Sequence, residues 1–449
     1  MNITLTVRNR AILSNAPDSV RKKIKQVMTL QNPEYVQAQK YGRYCDHLSP
    51  EIELYKETLG GLSFPRGWAR PCVSLLREHE VAFDIHDLRR ERGPVELEFQ
   101  GQLRPYQKEA VNAVLTRQFG ALDAATGSGK TIMALAIIAA RKQPTIILVH
   151  TKELLHQWAD RIRSFLGIEP GLIGDGKFDI QPVTVGIVNT VRKHLHELPE
   201  HFGHVVVDEA HRTPSSMFTE TIQAFDSKFM LGLSATPYRR DGLTRLIYLT
   251  LGDRVHQVDP QKLKSSGAVL SPKVIKRETK FRYSYADDYP QMISALVQDR
   301  DRNQMIALDV IEQCGGRLGT ALVVSDRVHH CNTLADLIED GGGLRVRVLT
   351  GKCSKADRES IVAEVQSGEV DVLISTVQLL GEGFDCSGLS SLFLATPIKF
   401  KGRVFQVVGR ILRPEDGKRP AVFDYVDQRV GVLQAQAKTR GKALAEVAA

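Results

Sequence analysis

A chain of 449 residues with 42% hydrophobic and 25% charged residues has material for about three domains of roughly 150 residues each, and its ordinary globular composition excludes a disordered or fibrous polymer. Its formal net charge of +8 permits a polyanionic partner, yet alone it speaks only to non-specific attraction and solubility. No apolar h-region opens the chain and the longest apolar run, near residues 132–140, is far short of the ~20 residues of a membrane span, so a cytoplasmic protein without membrane contact is expected.

Residues 1–97 combine a short alternating start, a basic helix-like stretch (Arg21, Lys22, Lys23, Lys25) and a turn-rich segment over 60–71, which together read as a small α/β accessory domain with possible DNA-binding character. Arg66, Trp68 and Arg70 could grip a phosphate backbone and stack on a base. The competing reading, Trp68 packed beneath a Pro/Gly loop with its arginines solvated, carries more weight.

From residue 98, short apolar runs alternate with helical stretches, the signature of a parallel sheet wrapped by helices. The runs at 146–149, 183–188, 205–207 and 230–233 each read as a buried strand ending where a polar motif begins, the edge at which such sheets bind ligands. Residues 98–255 form one expected lobe, and 256–300 a less regular joining segment with a strand at 271–277. Residues 301–430 form a second lobe, with strands at 321–324, 346–349, 370–374, 391–395 and 421–424, and 431–449 a polar, helix-prone tail. The six cysteines show no C-x-x-C pair and no cysteine–histidine cluster of zinc spacing, which fits free thiols in a reducing compartment.

Residues 121–131 of the first lobe read as a nucleotide-phosphate loop opening a helix. Gly127 and Gly129 lack a Cβ, so the backbone of Thr126, Gly127, Ser128 and Gly129 can curl its N–H groups around a polyphosphate. Lys130 can then reach the β- and γ-phosphates of ATP, and the Thr131 hydroxyl can ligate Mg²⁺. The full phosphate-loop pattern wants glycine at 124, where this chain has Ala124. After the run at 205–207 stand Asp208, Glu209, Ala210 and His211. Asp208 is suited to hold the metal through its water shell, and Glu209 to orient or deprotonate the attacking water.

The phosphate loop, Asp208-Glu209-Ala210-His211, Ser234-Ala235-Thr236 and Gln406-Val407-Val408-Gly409-Arg410-Ile411-Leu412-Arg413 resemble, in order, motifs I, II, III and VI of the superfamily 2 helicases in their DEAH-box form. The resemblance spans residues 98–430 and implies two tandem RecA-like parallel-sheet domains in an α/β fold. It makes Gln107 the reader of the adenine edge, supported by Arg104, because an amide donates and accepts at once. It gives Gln406, Arg410 and Arg413 to catalysis, the two arginines lying on one helix face if the segment is helical, and such fingers are typically worth ~10³ to 10⁵ in rate. His211, Ser234, Ala235 and Thr236 receive a coupling role. Thr151, Lys152, Thr190 and Thr376 go to the nucleic-acid backbone, and Gly383 and Asp385 to the nucleotide side. Arg239 and Arg240, within the Arg-Asp-Gly element after motif III, also go to nucleic acid. That element and the segment Asp299-Arg300-Asp301-Arg302-Asn303 resemble the XPB-like and phage UvsW-like branch-migration group.

The expected activity is thus ATP hydrolysis coupled to movement on, or remodelling of, forked, branched or duplex DNA in repair, recombination or replication. An RNA helicase, the motor subunit of a restriction or phage-defence complex, and a non-hydrolysing nucleic-acid clamp are the rivals.

Overall fold

The computed structural model describes residues 2–125, 127–210, 215–234, 244–315, 319–380, 388–398, 401–415 and 417–448. Thr126, His211, Ala235, Thr236, Arg239, Arg240, Gly383 and Asp385 lie outside the described residues. The chain divides into two compact units, residues 1–124 with 129–258, and residues 125–128 with 259–449.

In the first unit, a five-stranded sheet runs in the order Lys56–Thr58, Gly61–Pro65, Arg10–Ser14, Ile3–Val7, Phe83–Asp87. Its first four strands pair antiparallel, and Ile3–Val7 pairs parallel with Phe83–Asp87. Alternation along Ile3–Val7 and Arg10–Ser14 sends Leu5, Val7, Ala11 and Leu13 inward, where Val20, Ile24 and Met28 of the helix Asp18–Met28 and Cys72 and Leu76 of the helix Ala69–Glu78 cover them. Leu246 and Leu249, from the helix Thr244–Leu251, share this core.

Polar contacts fix the same junction. The Arg90 guanidinium makes a bidentate pair with Asp226 at 2.8 and 3.0 Å, and Arg10 donates to Gln223 Oε1 at 2.7 Å. Arg66, only 3% exposed, donates to the carbonyls of Ser227 and Arg8 at 2.8 and 3.2 Å. Burial, with the charge of Arg89 nearby, brings its guanidinium down to about 9. Trp68 meets the Phe64 ring edge-on at 5.9 Å. Trp68 thus packs, as the weightier reading expects, and what is corrected is the solvation of Arg66: its buried guanidinium donates to backbone carbonyls and to the Met230 sulfur at 3.4 Å and is held as an internal strut.

The larger sheet of this unit has eight strands in the order Lys177–Phe178, Gly171–Gly174, Val183–Ile187, Thr145–Val149, His204–Val207, Phe229–Ser234, Phe119–Asp123, Arg254–Gln257. All pairs are parallel except the hairpin at Gly171–Gly174 and Lys177–Phe178. Central strands such as Thr145–Val149 are buried throughout, as covering by helices on both faces demands.

The second unit is built on six parallel strands in the order Lys273–Glu278, Ala421–Val426, Leu389–Leu394, Thr320–Ser325, Val372–Thr376, Val346–Leu349. The strand within the joining segment is thus an edge strand of this sheet. The tail forms the helix Gly431–Ala448, whose Arg440 makes a buried ion pair with Asp424 at 2.5 Å. Arg302 is likewise buried, donating to Asp427 Oδ1 at 2.9 Å and to the Ala395 carbonyl at 2.7 Å. Removing one member of such a buried pair typically costs about 3–5 kcal/mol. Asp299 caps the helix Arg300–Cys314 by accepting from the Arg302 N–H at 2.8 Å, and the Asn303 amide donates to the Val297 carbonyl at 2.9 Å. The Asp299–Asn303 segment, picked out by its sequence, thereby anchors a helix to its sheet. The two units are α/β assemblies of the RecA-like kind, preceded by the small N-terminal α/β sheet.

Candidate nucleotide site

The strand Phe119–Asp123 delivers the phosphate loop to the helix Lys130–Arg141 at the carboxyl edge of the eight-stranded sheet. Gly127 and Gly129 take left-handed φ values of +86° and +81°, a conformation glycine adopts without steric cost. A Cβ on Gly129 would meet Gln107 Nε2 at 2.5 Å, so any other residue there would have to displace the Gln107 amide. Lys130 Nζ donates to the Ala124 carbonyl at 3.1 Å, a neutral partner that a phosphate can replace. Thr131 stands half-buried in the first turn of the helix, and the Ser128 side chain is buried.

Gln107 lies in the first turn of the helix Pro105–Leu115 and is 5% exposed. Its Oε1 accepts from the Arg104 N–H at 2.9 Å, so the carbonyl half of the amide serves the helix cap while Nε2 faces Gly129. Arg104 is the exposed cap residue before Pro105.

Asp208 and Glu209 follow the strand His204–Val207. Both oxygens of the buried Asp208 carboxylate are engaged, Oδ1 by the Glu209 N–H at 2.9 Å and Oδ2 by the Trp158 indole N–H at 2.8 Å. Burial and then the adjacent Glu209 charge push this carboxyl upward, while the indole N–H pulls the other way. Glu209 takes a left-handed φ of +48°, uncommon for a residue with a Cβ and a form of stored strain met at functional sites. Trp158 is 1% exposed on the helix Lys152–Leu166. Sequence reading passed over it, and its signal, one polar atom on an otherwise apolar helix face, is legible only once the partner is known.

Asp123 is a second acid at the base of the loop. Its Oδ2 accepts from the Tyr248 hydroxyl at 3.4 Å and lies 3.7 Å from Arg254 Nη1, while Oδ1 is buried without a hydrogen-bond partner among the described residues. Burial raises this carboxyl to about 6, against the pull of Arg254. Below pH ~4 the folded and unfolded states both hold the proton; between ~4 and 6 only the folded state does, so stability falls as pH rises through this window. Asp123→Asn should therefore stabilise the protein by up to about 3 kcal/mol at pH 7.5 and by almost nothing at pH 4. Melting curves at both pH values check this, and an equal shift at both would refute it.

The remaining sites are spread over both units. The Thr151 hydroxyl caps the helix Lys152–Leu166, accepting from the Leu154 N–H at 3.3 Å. Lys152 pairs with Asp175 at 2.5 Å, and His156 reaches the other oxygen at 2.9 Å. Lys152 and then His156 hold the Asp175 carboxyl down at about 2. Thr190 is half-buried in the short helix Val188–Val191, Ser234 ends the strand Phe229–Ser234, and Thr376 ends Val372–Thr376. Gln406 is buried and Arg410 half-buried on the helix Lys401–Ile411. Arg413 lies beyond that helix, which corrects the expectation of a shared helix face: Pro414 disfavours the α conformation at the residue before it.

The donor set fits a polyphosphate with a divalent cation. Left-handed glycines, an ammonium and the Thr131 hydroxyl lie within the loop and the first turn of its helix, and the Asp208 carboxylate follows a strand end. Among the described residues no three His, Cys, Asp or Glu side chains group as a metal cluster.

The phosphate loop and two parallel sheets define a two-lobed ATPase of the phosphate-loop class. Residues 100–239 match the family model of the type III restriction enzyme res subunit, and residues 304–415 that of the helicase conserved C-terminal domain, together more than half of the chain. A relative named DNA 3'-5' translocase XPB2, from Sulfurisphaera tokodaii, is 26% identical over 351 residues, 70% of this chain and 79% of that protein. A second, named "Probable helicase D10", from Escherichia phage T5, is 27% identical over 303 residues, 67% of this chain and 66% of that protein. In fold, the chain is similar to Saccharomyces cerevisiae Dbp5 solved with RNA and ADP BeF3, with a TM-score of 0.54 and 16% identity over 77% of this chain and 87% of that one. The chain belongs to the superfamily 2 helicases. Membership implies an enzyme that uses ATP and acts on nucleic acid. Among the described residues no helix is long and apolar enough to cross a membrane.

Proposed function

We propose that this chain is an ATP-driven DNA translocase or helicase that moves on, or remodels, branched or duplex DNA in repair, recombination or replication. The observation that carries the reading is the convergence of Lys130, Asp208 and Glu209 at the carboxyl edge of one parallel sheet. The DNA preference is supported by the relative named as a DNA translocase.

In this reading residues 98–255 and 301–430 are the motor lobes, residues 1–97 the accessory domain, residues 256–300 the join and residues 431–449 the tail. Gly127, Ser128, Gly129 and Lys130 hold the phosphates, Gln107 with Arg104 reads the adenine, and Glu209 orients the attacking water. A Mg²⁺ ion held by Thr131 and Asp208 would neutralise charge developing on the phosphates. Gln406, Arg410 and Arg413 contribute from the second lobe during turnover, and Thr151, Lys152, Thr190 and Thr376 hold the backbone of the strand. Lys152 must then exchange Asp175 for a phosphate, a swap between two anionic partners that an exposed ammonium makes at little cost.

Steady-state ATP hydrolysis tests the reading. It should be stimulated most by forked or branched DNA, less by linear duplex or single strands and least by RNA, at one fixed salt because phosphate-dominated binding depends steeply on salt. Lys130→Ala should abolish it. Stimulation by RNA alone would replace DNA with RNA, and absence of hydrolysis with every substrate would leave a clamp.

A further inference from the structure

The strands Lys273–Glu278 and Ala421–Val426 are parallel neighbours with Glu278 opposite Val426, so the chain leaves both at the same point of the carboxyl edge. Buried contacts lock these two exits together. The Thr279 hydroxyl donates to Asp427 Oδ1 at 2.5 Å, and Arg302 holds the same carboxylate and the Ala395 carbonyl. A few residues further on, the two exits place Arg282, Tyr283, Ser284 and Arg429 around one open cavity of about 570 Å³.

The charge at this cavity is uncompensated. Neither Arg282 nor Arg429 has a carboxylate within ion-pair distance among the described residues, whereas the exposed or half-exposed Arg277, Arg345 and Arg347 of the same unit are paired with Asp309, Asp371 and Glu364. Of the acids nearest in sequence, Asp427 is engaged by Thr279 and Arg302, Asp288 is occupied as a helix cap, accepting from the Gln291 N–H at 2.9 Å, and Glu278 and Asp287 are exposed. Two guanidiniums around one cavity repel each other until an anion sits between them, and their planar forks suit phosphate oxygens. Beside them the Tyr283 ring is held in place. It stacks on Phe281 with centroids 6.4 Å apart and planes 13° apart, and its hydroxyl donates to Gln291 Oε1 at 3.2 Å. Tyr285, two residues on, is 38% exposed.

We propose that this cavity is an additional binding site for single-stranded nucleic acid, with a backbone phosphate between Arg282 and Arg429, the Ser284 hydroxyl as a further donor, and a base against Tyr283 or Tyr285. A fixed aromatic beside paired arginines is the combination that binds single strands with little sequence preference. Within its sheet the site lies three strands away from Val372–Thr376, which ends in the Thr376 assigned to the tracked strand, and it rests on the nucleic-acid reading of the preceding section.

The test is fluorescence anisotropy of a labelled oligothymidine with the full chain over a salt series. For Arg282→Ala/Arg429→Ala, the slope of log affinity against log salt should fall by about 0.7 to 1.4, according to whether the arginines neutralise one phosphate or two. Arg282→Lys/Arg429→Lys should restore most of it. Tyr283→Leu should weaken binding about fivefold or more with the slope unchanged, since stacking carries no counterion release. A wild-type slope in the double alanine variant, with the wild type binding normally, would overturn the site and leave the motor reading intact. Failure of the wild type to bind any nucleic acid would overturn both. Equal losses on single-stranded and fully duplex DNA would reject the single-strand assignment.

Discussion

Replacing Glu209 by Gln should lower the ATP turnover number by roughly 10² to 10⁴, the usual contribution of a positioned acid–base group, while nucleotide still binds. The reason lies in how the residue is presented. A φ of +48° at Glu209 turns its side chain out of the register of the preceding strand, and its own N–H is spent on Asp208 Oδ1. Glutamine keeps size and backbone while removing the charge that makes the carboxylate a base, so binding and chemistry should separate. Single-turnover hydrolysis, set beside equilibrium binding of a fluorescent ATP analogue, provides the measurement. A variant that loses binding and turnover together would point to a structural role, and unchanged turnover would remove Glu209 from the chemistry.

The second large effect is expected at Trp158. Its indole N–H is the hydrogen-bond donor to Asp208 Oδ2 at 2.8 Å, both groups are buried, and a donor lost at such a place leaves an acceptor with its desolvation uncompensated. Groups that orient a metal-ligating carboxylate typically cost 10- to 100-fold in affinity or activity when removed. Trp158→Phe keeps an aromatic ring in the core but deletes the donor. It should therefore raise the Mg²⁺ concentration needed for half-maximal ATPase about tenfold or more, beyond any change in the Michaelis constant for ATP. An unaltered Mg²⁺ dependence accompanied by a lower melting temperature would mean that Trp158 only packs. The chain has two tryptophans, so in Trp68→Phe the emission of Trp158 alone can report on cation and nucleotide binding, a readout independent of turnover.

Trp158 sits on the helix whose first turn carries Thr151 and Lys152. One helix thereby joins residues proposed to hold the strand to the carboxylate proposed to hold the metal, a physical link of the kind coupling between sites requires.

What could be read without a structure was set by local chemistry. Buried parallel strands are continuous apolar runs, so Thr145–Val149, His204–Val207 and Thr320–Ser325 declare themselves by composition. Phosphate binding needs glycine, lysine and threonine within a few residues, so the loop at 127–131 is legible from spacing alone. Edge strands were harder. Arg254–Gln257 is half-exposed with no alternation in burial, and Lys177–Phe178 is too short to carry a pattern. Lys273–Glu278 was legible as a strand, but its sheet was not, since pairing with Ala421–Val426 joins segments about 150 residues apart.

The sequence alone determined the class of chemistry, because a phosphate loop and an acidic strand end consist of contiguous residues whose types are fixed by what they bind. Only the tertiary structure decided which charged and aromatic side chains are engaged and by what. It put Arg66 and Arg302 inside as struts, tied Lys152 to Asp175, gave Asp208 an indole donor 50 residues away in sequence, and left Arg282 and Arg429 around a shared cavity. The physical reason is that the state of an arginine, lysine or tryptophan depends on the groups within a few ångströms of its polar end, and those groups come from distant parts of the chain.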